Sequence, residues 1–140
     1  MGDRTWVEIT TFPENKERVE DIMEYPPDDG WDENNWAEGW NQQLVRGLWS
    51  EINCGVNSGL TKEFVESRMS LLAGAGGYPG AYSAHVVAFH DGVAIEVDSN
   101  EDGIPVVEVH DGQVSEAALE EVRKFEALLL AAGIKVINEV

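Results

Sequence analysis

Residues 84–112 read AHVVAFHDGVAIEVDSNEDGIPVVEVHDG. Three Asp-Gly pairs, at 91–92, 102–103 and 111–112, punctuate apolar runs from Ala84 to His90, Val93 to Asp98 and Ile104 to His110. Asp-Gly tolerates the positive φ angles that a two-residue hairpin turn demands, and runs rich in Val and Ile suit strands. The stretch predicts a three-stranded antiparallel meander. Downstream, Ser115 is a good helix N-cap, with Glu116 in the first turn. Ala117, Leu119, Val122, Phe125, Leu128 and Leu129 then give a helix over 116–132 an apolar side, and Gly133 stands where a helix C-terminus needs a left-handed residue. Residues 134–140 read as a closing strand.

Upstream, residues 5–12 are β-branched and aromatic and predict a strand ended by Pro13. Residues 14–24 place Val19, Ile22 and Met23 on one helical face, and Pro26 to Gly30 breaks the chain. From Asp32, a candidate N-cap, Trp36, Trp40, Leu44, Leu48 or Trp49, and Ile52 recur at three- to four-residue spacing. Trp31 and Trp36 have the spacing of a hydrophobic staple. This predicts a second helix, weakened by Gly39 and Gly47. A loop at 54–59 leads to a third helix capped by Thr61 and running to about Ala73, with Phe64, Val65, Met69 and Leu72 as its stripe. Residues 74–83 form a glycine-rich connector. The expected order is β-α-α-α-β-β-β-α-β. The expected fold is α+β, one domain over 1–140, with a single mixed, largely antiparallel sheet of about five strands and helices mainly on one face.

The net charge is −18, from 27 acids and 9 Lys or Arg. Residues 1–40 carry −9, residues 41–75 carry 0 and residues 76–140 carry −9. Such a chain repels nucleic acid and anionic membranes and attracts basic protein surfaces. Its short apolar runs are too short to span a bilayer, and the first residues lack the apolar core of a secretory signal. One cysteine, Cys54, cannot form an internal disulfide, so a cytoplasmic location is expected.

No motif names a reaction. Asp98, Asn100, Asp102 and Gly103 match the opening of a calcium loop, but Val109 stands where a bidentate Glu is needed, and a polar turn accounts for the pattern. His90-Asp91-Gly92 and His110-Asp111-Gly112 would lie on one sheet edge of the meander, about 10 Å apart, too far for one ion. Cys54 with His85 or His90 would make a nucleophile and base only if the fold joined them. The 74–80 glycine loop follows a helix and lacks the Gly-Lys-Ser/Thr tail of a phosphate cradle. These features support an enzyme or ligand-binding domain only through the His90/His110 edge and the glycine loop. No cofactor, metal site or catalytic residue is expected.

The acidity therefore carries the functional expectation. A protein of this size exposes on the order of 7,000 Å², or about 400 Å² per net charge. DNA carries roughly one charge per 100 Å². Uniform spreading makes a poor mimic, whereas gathering both acidic blocks on half the surface comes within about a factor of two. The expected function is a non-catalytic binding protein that blocks a basic, nucleic-acid-binding partner, and its alternative is an immunity protein that neutralises a toxin. In its acidity, compactness and lack of motifs the chain resembles phage-encoded blockers of host defence in general character. The expected partner-binding residues are Asp28, Asp29, Asp32, Glu33, Trp36, Trp40, Asp98, Glu101 and Asp102. Gly39 and Gly47 would also suit a close homodimer contact.

Overall fold

The computed structural model describes residues 4–33, 44–78, 82–107 and 109–134. Strand β1 (Arg4–Thr11) ends at Pro13, which opens a single 3₁₀ turn leading into helix α1 (Lys16–Met23). Then come β2 (Val45–Asn53), α2 (Ser58–Ser67), β3 (Leu71–Ala75), β4 (His85–His90) and β5 (Val93–Asp98). A short ribbon, β6 (Val109–His110) and β7 (Gln113–Val114), precedes α3 (Glu116–Ala132). The fold is α+β with one main five-stranded sheet, ordered β2-β1-β3-β4-β5, and every pairing in it is antiparallel.

Alternation along each strand sorts side chains to two faces. Val7 and Ile9 of β1, Trp49 of β2, Leu71, Ala73 and Ala75 of β3, and Val87 and Phe89 of β4 form one core with Val19 and Met23 of α1 and Phe64 of α2. Val86, Ala88 and Val97 point the other way, onto Phe125, Leu129 and Ala132 of α3. Two helices thus share a face and the third covers the opposite one. Each fully buried large side chain contributes about 1.5–3 kcal/mol. The expected caps of α3 are both present. Ser115 Oγ accepts the Ala118 amide at 3.2 Å, and Gly133, at φ 78°, lets the Gly133 and Ile134 amides reach back to Leu130 and Leu129.

Three expectations are corrected. The carboxy-terminal part of the helix expected from Asp32 to Ile52 is instead strand β2 (Val45–Asn53), paired with β1, and residues 34–43 lie outside the described residues. In a short window, apolar residues four apart satisfy either period, but burial decides: Val45, Gly47 and Trp49 are buried, while Leu48 and Ser50 are exposed. Asp32 is no N-cap. Its amide and carbonyl bond those of Arg46 at 2.8 and 3.0 Å. Trp31 packs edge-on against Trp49, with ring centroids 5.5 Å apart. Trp36, Gly39 and Trp40 lie outside the described residues.

Helix α2 is capped by Asn57, whose Oδ1 accepts the Leu60 amide at 2.9 Å, and it ends at Ser67. Arg68 then adopts φ 61°, and Leu71–Ala75 becomes the central strand. Leu72, read as helical, and Gly74 and Ala75, read as connector, belong to this strand, because pairing on both sides overrides their weak β propensity.

The third strand of the meander does not join the sheet. Asp91 and Gly92 (φ 48° and 83°) and Asp111 and Gly112 (φ 52° and 76°) form turns with two positive φ angles, but at 102–103 only Gly103 has one. The chain turns back on Asn100, and Pro105, which has no N–H to give a ladder, makes only an isolated bridge with Ser99. The strand expected over 134–140 lies outside the described residues apart from Ile134, which is buried beside α3. No helix among the described residues is long and apolar enough to cross a membrane.

The alternation in β2 makes a sharp prediction. Trp49→Ala should lower the unfolding free energy by about 3–5 kcal/mol, while Leu48→Ser should stay within about 0.5 kcal/mol. Denaturant titration measures both, and equal costs would contradict the assignment of Leu48 to the exposed face.

Candidate functional site

The two-residue Asp91-Gly92 turn makes His90 and Val93 the closing pair of the β4–β5 hairpin. Hydrogen-bonded and non-bonded pairs alternate from there. The backbone groups of Val93, Ile95 and Val97 therefore face β4, and those of Ala94, Glu96 and Asp98 face outward. Only the last is taken up: the Asp98 carbonyl accepts the Val106 amide at 3.0 Å. Among the described residues, no strand pairs with the outer side of β5.

Beyond β5 the chain makes a tight polar turn. Asn100 Oδ1 accepts the amides of Asp102 and Ile104 at 2.9 and 3.0 Å, and the Asn100 carbonyl accepts Gly103 at 3.1 Å. The turn holds Glu101 and Asp102 exposed. It also uses the Asn100 oxygen that a calcium loop would spend on the ion. The following segment and ribbon leave Ile104, Val106, Val109 and Val114 between 41% and 60% exposed. An open groove of about 430 Å³ separates β5 from this ribbon and α3, with Val97, Val106, Val107 and Val122 on its walls and His110 and Glu121 at its border.

The surroundings carry one sign of charge. Between Arg68 and Arg123 the sequence has no Lys or Arg and ten acids. Glu96, Asp98, Glu101, Asp102, Asp111 and Glu116 are all exposed. Elsewhere bases stand beside acids, as in Arg4–Glu51 at 3.8 Å, Arg46–Glu8 at 3.6 Å and Arg68–Asp91 at 2.9 Å. Such surface pairs add little stability, but they cancel charge locally, and Arg68 does so at the Asp91 turn where β5 begins, whereas among the described residues Glu96, Asp98, Glu101 and Asp102 have no ion pair of this kind beside them. An apolar centre within an acidic border has the anatomy of a protein-binding surface.

The expected partner-binding residues fall into two groups that the fold keeps apart. Asp98 lines the β5 groove, and Glu101 and Asp102 are exposed in the Asn100-centred turn that follows β5. Asp28, Asp29, Asp32 and Glu33 run beside β2, the opposite edge of the sheet, four strand spacings or about 19 Å away. There Asp28 gives its amide to Leu48 and accepts Ser50 on its carboxylate, both at 2.9 Å. Glu33 accepts from Lys16. This segment closes the β2 edge. Trp36 and Trp40 lie outside the described residues. Ile104, Val106, Val109 and Val114 were not among the expected residues. The signal that marks them is the base-free run that brackets them, combined with Pro105 inside an apolar stretch.

The candidate reactive groups are not assembled. His85 is buried, with Nδ1 3.0 Å from the Ser83 carbonyl and Nε2 accepting the Val56 amide at 3.2 Å. A carbonyl only accepts and an N–H only donates, so the proton sits on Nδ1 and both nitrogens are engaged. Cys54 is exposed, its Sγ 3.5 Å from Asn53 Oδ1. His90 shares a 2.7 Å hydrogen bond with Ser70 Oγ at the turn end of β4. His110 borders the groove near Asp98, about 17 Å along β5 from the level of His90. The meander edge expected to hold both histidines therefore does not form. Among the described residues no three His, Cys, Asp or Glu side chains are placed to hold a metal ion. In the glycine loop, a Cβ on Gly76 would lie 2.5 Å from Trp6 Nε1 and one on Gly77 2.7 Å from the Ala84 nitrogen, so both glycines serve close packing.

No protein family, no curated protein and no solved structure matches this chain.

The bonding of His85 predicts a structural role. His85→Ala leaves the Val56 amide without its acceptor and should cost about 1–3 kcal/mol, whereas Cys54→Ser should be neutral within about 0.5 kcal/mol. Thermal or denaturant unfolding reads both, and a neutral His85→Ala would contradict the assignment.

Proposed function

We propose that the protein is a non-catalytic acidic inhibitor that binds a basic partner protein and blocks it, acting through the β5 groove and the ribbon beside it. The observation that carries this is the set of exposed Ile104, Val106, Val109 and Val114 beside exposed Glu96, Asp98, Glu101, Asp102 and Asp111, in a run of sequence with no Lys or Arg. Border carboxylates steer a basic partner and speed encounter, and the apolar centre, once covered, slows release. The exposed thiol of Cys54 suits a reducing cytoplasm.

Two classes of partner fit, and they use the site differently. A nucleic-acid-binding protein would accept the acids in place of phosphates. The average charge density is modest for that role, 18 net charges on 8310 Å², or about 460 Å² each. A toxin with a basic substrate groove would be covered by a compact contact that needs no continuous array of charge. The apolar centre favours this second, immunity-type reading, because a sugar-phosphate backbone offers no equivalent surface.

The triple change Asp98→Asn, Glu101→Gln and Asp102→Asn tests the border. It preserves shape and should reduce association with a captured basic partner by about tenfold and flatten its salt dependence. Unchanged association would overturn the proposal. Competition by duplex DNA would favour the nucleic-acid-binding partner, and rescue of cells from a co-expressed toxin would favour immunity.

A further inference from the structure

We infer that the outer side of β5 takes up an extended, basic segment of the partner as a sixth strand, with lysine or arginine alternating with apolar residues. This rests on the reading that the β5 side is the partner-binding surface, and it specifies how that surface binds.

Three observations converge. The first is the backbone. The N–H and C=O of Ala94 and Glu96 point away from β4, and among the described residues no hydrogen bond is made to them. An unpaired strand edge is a template for an incoming strand. The opposite edge differs, since β2 is covered where Asp28 and Asp32 bond Leu48, Ser50 and Arg46.

The second is the sidedness of charge. Ala94, Glu96 and Asp98 pair with Phe89, Val87 and His85 and so project to the face of α1 and α2. Glu96 and Asp98 are exposed there. A residue placed opposite Glu96 in a sixth strand projects to the same side, where a cation meets it.

The third is the groove. The neighbours of that residue project to the α3 side, where Val97, Val106, Val107 and Val122 line the open volume of about 430 Å³. One face of the added strand thereby meets the Glu96 carboxylate, and the other meets the groove, whose valines are accompanied by His110 and Glu121. Strand periodicity turns this into a sequence preference of period two. Like charge at Glu96 and Asp98 also disfavours pairing of this edge with a second copy of itself.

The test uses the full chain and the capped hexapeptide Lys-Val-Lys-Val-Lys-Val. Three comparison peptides complete it: the block order Lys-Lys-Lys-Val-Val-Val, the alternating Glu-Val hexapeptide, and the alternating Lys-Val peptide N-methylated at every second amide. The expected result is binding of the alternating basic peptide with slowed exchange of the Ala94 and Glu96 amides by NMR. Affinity should fall at least about tenfold for the block-ordered and for the N-methylated peptide. The Glu-Val peptide should not bind. Glu96→Pro removes an outward N–H without touching the β4 ladder and should weaken binding similarly. If that variant misfolds, the N-methylated peptide makes the same test on the unaltered protein. Equal binding of N-methylated, block-ordered and alternating basic peptides would overturn strand addition while leaving attraction of a basic partner intact. No binding of the alternating peptide would overturn strand addition too, and the Asp98, Glu101 and Asp102 variant then judges the acidic border independently.

Discussion

A five-residue strand of mostly small side chains, Leu71–Ala75, holds the two halves of the molecule together. It pairs with β1 on one side and β4 on the other, so among the described residues the amino-terminal and carboxy-terminal halves share one sheet only through it. Leu71, Ala73 and Ala75 form the floor beneath α1 and α2, while Leu72 packs toward α3. Small residues let both layers approach the centre of the sheet closely, and the larger Trp49, Phe64, Phe89 and Phe125 fill the remaining volume. Both cores, and the position of β5 at the margin, follow from that pairing.

The two margins of the sheet are finished in different ways. Beside β2, Asp28 and Asp32 bond the edge strand and Trp31 closes over Trp49, so acids in that segment serve the fold. Beside β5, Pro105 and the Asn100-centred turn prevent a further strand from forming. The acids there hold no edge closed. They surround exposed valines and an isoleucine, in a region of sequence without a single base. A charged edge deters self-association, and under the proposed reading it stays open to a strand of opposite charge.

Much of this was legible in the sequence, and the failures have physical causes. Two of the three Asp-Gly turns, the β4–β5 hairpin, the apolar side of α3 and its Ser115 and Gly133 caps follow from local chemistry, since turn geometry and capping depend on few neighbours. Strand β2 was hidden because Leu44, Leu48 and Ile52 fit a helical period as well as Val45 and Trp49 fit a strand, and only pairing with β1 chooses. Strand β3 was hidden because alanine and glycine carry almost no β signal of their own. At the site, Asp98, Glu101 and Asp102 were marked by charge, but the exposed apolar centre was not. Ile104 and Val106 read as a buried strand until Pro105 and the Asn100 turn place them outside the sheet. The separation of Asp28–Glu33 from Asp98–Asp102 depends on strand order, which the spread of charge along the chain does not encode.

Hydrogen–deuterium exchange of the full chain, free and bound to a captured basic partner, addresses the central claim most directly. Protection concentrated in Val93–Asp98 and in the segment from Ile104 to Val114 is the result expected if the β5 side is the binding surface. Protection confined to Asp28–Glu33, or to α1 and α2, with β5 unchanged, would contradict it.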